Sequence, residues 1–151
     1  LTVQRIGDYR LILAATQAYL DTAPPVARVE DLRQHRMIGY IPDLIFDTEL
    51  DYLGQLGSER VGLASNSVAV QIHMACQGAG LAVVHDFAMP GAPELIPVLP
   101  DEVSLKRSFY LIRHADDLRV RRMSRFADLL AAGMRARLFR ADLQQIHDAK
   151  H

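Results

Sequence analysis

Three small polar residues in succession, Ser65-Asn66-Ser67, open an amphipathic run that extends to Gln77 and is followed by Gly78-Ala79-Gly80 and the apolar Leu81-Ala82-Val83-Val84. Ser and Asn accept hydrogen bonds from the first N–H groups of a helix, where unpaired donors and partial positive charge gather. One cap closes a helix end; three in a row exceed that need, so the opening is a candidate seat for an anionic or hydrogen-bond-accepting ligand. In an α/β sheet such a turn lies beyond the carboxyl end of a strand, where ligands bind. The turns at Ala15-Thr16 and Ile41-Pro42-Asp43 would sit at comparable strand ends and line the same place.

Other chemistry-bearing residues are less well supported by their surroundings. Gly78-Ala79-Gly80 follows a helix and precedes a strand, the reverse of a dinucleotide loop, and is expected to cap the helix. Cys76 stands at helical spacing from Val68 and Ile72, which makes it a small core residue with no placed base beside it. His73 with Cys76, His85 with Asp86, and His114 with Asp116 and Asp117 each lack the second ligand pair of a metal site. No Gly-x-Ser-x-Gly elbow, paired catalytic carboxylates or phosphate loop occurs, so an enzyme is disfavoured and neither a metal nor a cofactor is expected.

The elements that would position these residues follow from hydrophobic periodicity. Leu1–Ile6 and Tyr9–Ala15 alternate as strands about a turn at Gly7-Asp8. Gln17–Asp21 is one helical turn stopped by Pro24-Pro25, and Val29–His35 is a second short helix with Leu32 inward. Arg36–Ile41 and Glu59–Ala64 are strands. Between them Phe46, Leu50, Leu53 and Leu56 mark the face of a helix over Asp47–Leu56, with Thr48 and Asp51 resembling a capping box and Gly57 closing the end. Leu81–Val84 is the next strand, Met89–Ala92 a loop, Glu94–Leu99 an edge strand between prolines, and Ser108–Ile112 the last strand. Val120, Met123, Phe126, Ala127, Leu130, Met134 and Leu138 form one face of a long final helix, with seven arginines between 119 and 140 mostly on the other. Asp142–His151 extends that helix or frays. The repetition of strand, helix and strand predicts parallel βαβ units.

The 151 residues, 50% hydrophobic, suffice for one domain with a core, and 17 basic against 18 acidic residues leave a net charge of -1 with no general attraction to nucleic acid or membrane. One cysteine forms no internal disulfide, and no apolar run reaches the length that spans a bilayer; a cytoplasmic protein is expected. The chain starts at Leu1 and enters strand-like sequence at once, which suggests a piece of something longer.

The succession of these motifs resembles the C-terminal part of the effector-binding (regulatory) domain of LysR-type transcriptional regulators. Arg5–Ala15, Ala18-Tyr19-Leu20 and Glu30–His35 look like that family's run into its second lobe, and Gln77–Val84 looks like its most recognisable segment. Ser108–Arg113, Val120 and Arg125–Leu130 resemble its closing strand and helix. The resemblance covers about residues 1–140 and implies an α/β fold: a Rossmann-like lobe of a type 2 periplasmic-binding-protein-like regulatory domain, with part of the second lobe. By implication residues 1–8 are the first crossover segment, 9–106 effector-binding lobe two, 107–140 the return strand and C-terminal helix of lobe one, and 141–151 a tail.

The implied function is effector sensing. A small metabolite, with a carboxylate as the guess from the caps, binds in an interlobe cleft and alters DNA binding by a winged-helix domain in a homodimer or homotetramer, without chemistry on the ligand. Ser65, Asn66 and Ser67 match the family's effector-contacting region, Tyr40, Pro42 and Asp43 are a weaker transfer, and Thr16 is a co-lining residue. The family has proline where this chain has His85, which leaves that residue as an effector partner, a pH-sensitive group or a turn residue. The competing function is a periplasmic-type solute-binding protein for uptake, with a hydrolase using Cys76 or a histidine behind it. A chain lacking the first half of lobe one is expected to expose apolar area, which points to a dimeric contact or a longer protein.

Overall fold

A computed structural model describes residues 1–45, 47–48, 51–57 and 61–148. Two compact units divide the chain, residues 11–105 and the paired segments 1–10 and 106–151, and one strand contributes to both. That strand, β1 (Thr2–Thr16), runs unbroken through Gly7-Asp8, where a turn is expected from sequence. Glycine serves close packing there, because a Cβ at Gly7 would stand 2.9 Å from Leu138 Cδ1. Asp8 accepts from Lys106 Nζ at 2.8 Å, from Ser108 Oγ at 2.6 Å and from Arg5, and these donors hold its carboxyl far below the usual carboxylate range.

In residues 11–105, β2 (Met37–Gly39), β3 (Leu63–Ala64), β4 (Leu81–His85) and β5 (Leu95–Pro97) join the later half of β1 in the order β3-β2-β4-β1-β5. β2 pairs in parallel with β3 and β4, and the required crossovers pass through α2 (Tyr52–Gln55) and α3 (Val68–Cys76). β1 runs antiparallel to both neighbours, with Leu11 opposite His85, Ala14 opposite Ala82 and Ala15 opposite Ile96. The parallel βαβ units expected from sequence are those of β2, β3 and β4, and the antiparallel β1 makes the sheet mixed; β5 passes over β1 to take the edge, where Pro97 is tolerated. Ala14, Ile38, Ala75, Ala82, Val84, Ala92 and Leu95 form one cluster of the core, and its alanines let α3 approach the strands closely.

Several elements are shorter than periodicity suggests. β2 and β3 keep only the paired centres of their predicted strands, and Glu59 and Arg60 lie outside the described residues. The expected helix over Asp47–Leu56 is one turn, α2, and Phe46 and Leu50 also lie outside the described residues. Asp51 itself is the cap, accepting from Gly54 N at 3.0 Å, and Gly57 closes the turn at φ 68°. Two glycines in so short a segment remove the propensity a longer helix needs. A six-residue helix α1 (Gln17–Thr22) follows β1, Val29–Gln34 is a 3-10 helix with Leu32 fully buried, and the expected loop at Met89–Ala92 belongs largely to a 3-10 helix over Asp86–Gly91.

In the other unit the first half of β1 pairs with β6 (Ser104–Arg113), and Tyr9 stacks on Phe109 with ring centroids 4.3 Å apart. The final helix, α4 (Arg121–Asp148), continues through Asp142. Its buried stripe is Ala127, Ala131, Leu138 and Ala141, whereas Val120, Met123, Phe126 and Leu130 of the predicted apolar face are exposed. Small residues win because the helix lies against β1, close enough for Arg135 to donate to the Ile6 carbonyl at 3.3 Å. Among the described residues no helix is long and apolar enough to cross a membrane.

Candidate functional site

Parallel pairing of β2, β3 and β4 brings their carboxyl ends to one edge of the sheet, so the segments that leave them meet there. Ser65-Asn66-Ser67 leaves β3, Tyr40–Asp43 leaves β2, and His85 ends β4. The three cap oxygens do three different tasks. Ser67 is the N-cap of α3, accepting from Val70 N at 3.5 Å, and Ser65 Oγ accepts from Ser67 N at 3.1 Å. Asn66 Oδ1 accepts from Ile41 N at 3.1 Å and so ties the segment after β3 to the one after β2. Buried Gln71 supports the turn from beneath by donating to the Ser65 carbonyl at 2.6 Å, and Ser65 N bonds Gly39 O at 3.0 Å. The α-helical pattern leaves the first-turn N–H groups of Val68 and Ala69 without intrahelical acceptors.

Thr16 does not join this edge. Because β1 is antiparallel to β4, its Leu11 end lies beside His85 and its Thr16 end lies at the opposite end of the sheet. Thr16 is buried there, its hydroxyl caps α1 by accepting from Tyr19 N at 3.2 Å, and it packs beside Gly78. Gly78 itself, at φ 73°, completes a Schellman cap in which Gly78 N bonds Ala75 O at 2.9 Å and Ala79 N bonds Met74 O at 3.1 Å. Gly80 allows backbone contact, since a Cβ there would lie 2.3 Å from the Arg36 carbonyl oxygen.

A cavity of about 250 Å³ opens beside the end of β2. Tyr40 and Pro42 line it together with Ile38, Asp51, Tyr52 and Val83, whereas Ser65, Asn66, Ser67 and Asp43 do not. Tyr40 and Tyr52 meet edge to face at 5.8 Å, the arrangement favoured by ring quadrupoles. Sequence reasoning passed over Asp51 and Tyr52 because it assigned them to an amphipathic helix. Gly39 lies against the same wall, where a Cβ would stand 2.9 Å from Leu53 Cδ1.

Two titratable groups near the sheet are shifted by burial. The His85 imidazole is pushed below its usual value, against the opposing pull of Asp86, and its ring tilts onto Phe87 at 5.2 Å. Burial and then Glu94 push the Cys76 thiol up, which disfavours the nucleophilic thiolate. Among the described residues no three His, Cys, Asp or Glu side chains gather to hold a metal ion.

The architecture is that of type 2 periplasmic-binding-protein-like regulatory domains. The regulatory domain of CrgA, a LysR-type transcriptional regulator from Neisseria meningitidis, matches with a TM-score of 0.72 at 19% identity, over 87% of this chain and 68% of its own. The regulatory domain of HypT from Salmonella typhimurium in its apo form matches at 0.61 and 17% identity, over 87% and 66%. Full-length AphB, a virulence activator of Vibrio cholerae, matches at 0.57 and 23% identity, over 77% of this chain and 42% of its own. The family described as the LysR substrate binding domain covers residues 1–135, and the chain belongs to that family. Among curated protein sequences none matches it.

Proposed function

We propose that this chain is the effector-sensing part of a LysR-type transcriptional regulator that acts in the cytoplasm as a homo-oligomer. In this reading residues 9–106 form the effector-binding lobe, 1–8 enter it as a crossover segment, and 107–140 return as strand and helix of the other lobe, with 141–151 as a tail. A small metabolite binds at the carboxyl edge of β2, β3 and β4. It favours one of two states of the domain and thereby alters DNA binding by a winged-helix domain. The chain performs no chemistry on the ligand. The observation that carries the reading is the bond from Ile41 N to Asn66 Oδ1, which holds Tyr40–Pro42 and Ser65–Ser67 on one edge. A carboxylate would meet the first-turn N–H groups of α3 there, but in an acidic surrounding. The test is a thermal-shift screen of the full-length regulator against small metabolites, followed by gel retardation on its own promoter region. A stabilising compound that changes DNA affinity is expected; stabilisation without any change in DNA affinity, or turnover of the compound, overturns the reading.

A further inference from the structure

We propose that the cavity beside Tyr40 takes an organic cation, a protonated amine on a small aromatic or apolar body; this rests on the reading of the β2 edge as an effector site and names its ligand class. The floor is apolar, made by buried Ile38, Leu53 and Val83, and it offers a ligand body nothing but van der Waals contact. Its walls carry the Tyr40 and Tyr52 rings, whose faces attract cations through their quadrupoles. At the exposed rim stands Asp51, the one carboxylate among the described lining residues, which include no Lys, Arg or His. The Asp51 bond to Gly54 N uses one of about four acceptor positions of a carboxylate, so the group keeps capacity for an ammonium.

The overall charge of the unit that holds the cavity has the same sign as Asp51. Residues 11–105 hold twelve Asp and Glu against four Arg, a net charge of -8 in a chain of -1. Arg36 is engaged with the Ala79 carbonyl at 3.3 Å. An anion entering the cavity would lose water and gain a like charge at the rim, whereas an ammonium gains both Asp51 and the rings. Size limits the body: an apolar cavity of about 150 Å³ holds benzene, so about 250 Å³ holds one ring with a short aminoalkyl arm.

The experiment uses the full-length regulator and three probes of one shape: phenethylamine, 2-phenylethanol and phenylacetate. Calorimetry is expected to show phenethylamine binding about tenfold more tightly than phenylacetate, with the alcohol between them. Asp51→Asn, which keeps the helix cap, should reduce that preference by about fivefold, and Val83→Phe should fill the floor and abolish binding of all three. Tighter binding of phenylacetate, an amine preference unchanged in Asp51→Asn, or no binding of phenethylamine at millimolar concentration overturns the proposal. Gel retardation separates this from the functional reading. Asp51-dependent binding of phenethylamine with no change in DNA affinity keeps the cation pocket and removes the effector role, whereas an anionic compound that shifts DNA affinity where phenethylamine does not bind does the reverse.

Discussion

Replacing Asn66 by Ala removes one acceptor and tests whether the two segments at the sheet edge depend on each other. In the wild type Ile41 N donates to Asn66 Oδ1 at 3.1 Å, and both residues are exposed enough for water to replace the lost acceptor. The cost therefore falls at the low end for a hydrogen bond, about 0.5–1 kcal/mol. For a chain of this size that lowers the melting temperature by about 1–4 °C. Ser67 remains to cap α3, so helix content in the far-ultraviolet spectrum should not change. The local consequence is larger: without its partner the Ile41 amide should exchange with deuterium about fivefold faster, as should neighbours in the Pro42–Leu44 turn, while β4 amides stay protected. Hydrogen exchange read by mass spectrometry or NMR resolves these segments. An effector that stabilises the wild type should lose most of its thermal shift in Asn66→Ala. Unchanged exchange at Ile41 together with an unchanged thermal shift would refute the argument that this bond assembles the site.

Three further substitutions probe the frame. Gly78→Ala places a side chain at φ 73° and 3.3 Å from Thr16 Oγ1, and should cost about 1–2 kcal/mol in chemical denaturation; a neutral result would remove the αL cap from the account. Asp8→Asn removes a carboxyl whose folded pKa is depressed, so its stabilisation is present above the ordinary value of 3.8 and is lost as pH falls below it. The variant should be less stable at pH 7 and lose less between pH 5 and 2, and parallel stability curves for the two proteins would contradict this. His35 is buried, and burial pushes its pKa below 6.5 against the pull of the Pro25 carbonyl and Asp31. Tyr19 OH accepts from Arg36 N at 3.2 Å and hydrogen-bonds His35 Nδ1 at 3.1 Å, which holds the ring in its buried place. Stability should fall as pH drops from about 6.5 toward the folded value, because only the unfolded chain gains the proton there. His35→Gln should flatten that slope; an identical slope would assign it to another group.

Local patterns were legible where each residue's task is settled by its near neighbours. Ser67 as N-cap, Gly78 at the helix C-terminus, Leu32 facing inward and Pro97 on an edge all follow from rules that act over a few residues. Strand direction was not legible, because the end of β1 at Thr16 and the start of β4 at Leu81 are 65 positions apart and an apolar run carries no sign of which way its partner runs. That one ambiguity displaced Thr16 to the wrong end of the sheet. Gly7-Asp8 has the composition of a turn, yet long-range partners, Leu138 above the glycine and Lys106 and Ser108 at the carboxylate, keep the strand straight. On α4 the large apolar residues outweighed the alanines in the pattern, although close packing against β1 selects the small ones.

Net charge shows the same difference between a whole-chain quantity and a local one. A total of -1 suggests a molecule indifferent to the sign of its ligand, but the total conceals +7 on residues 1–10 and 106–151 and -8 on residues 11–105. Screening at physiological salt confines the field of each charge to about 8 Å, so a ligand at the β2 edge responds to the charges nearest it, Asp51 first, and not to the sum. The cap cluster, taken alone, favours an anion because N–H groups open α3. Yet its side-chain oxygens are occupied in holding the fold, and the neighbouring cavity presents a carboxylate and two aromatic rings. A helix terminus acts over its first turn, whereas the Asp51 carboxylate at the rim and the apolar floor act on a ligand seated in the cavity. The preference between cation and anion should therefore weaken steeply as salt is raised from 0.05 to 0.5 M, and a selectivity insensitive to salt would show that contact geometry rather than this field decides it.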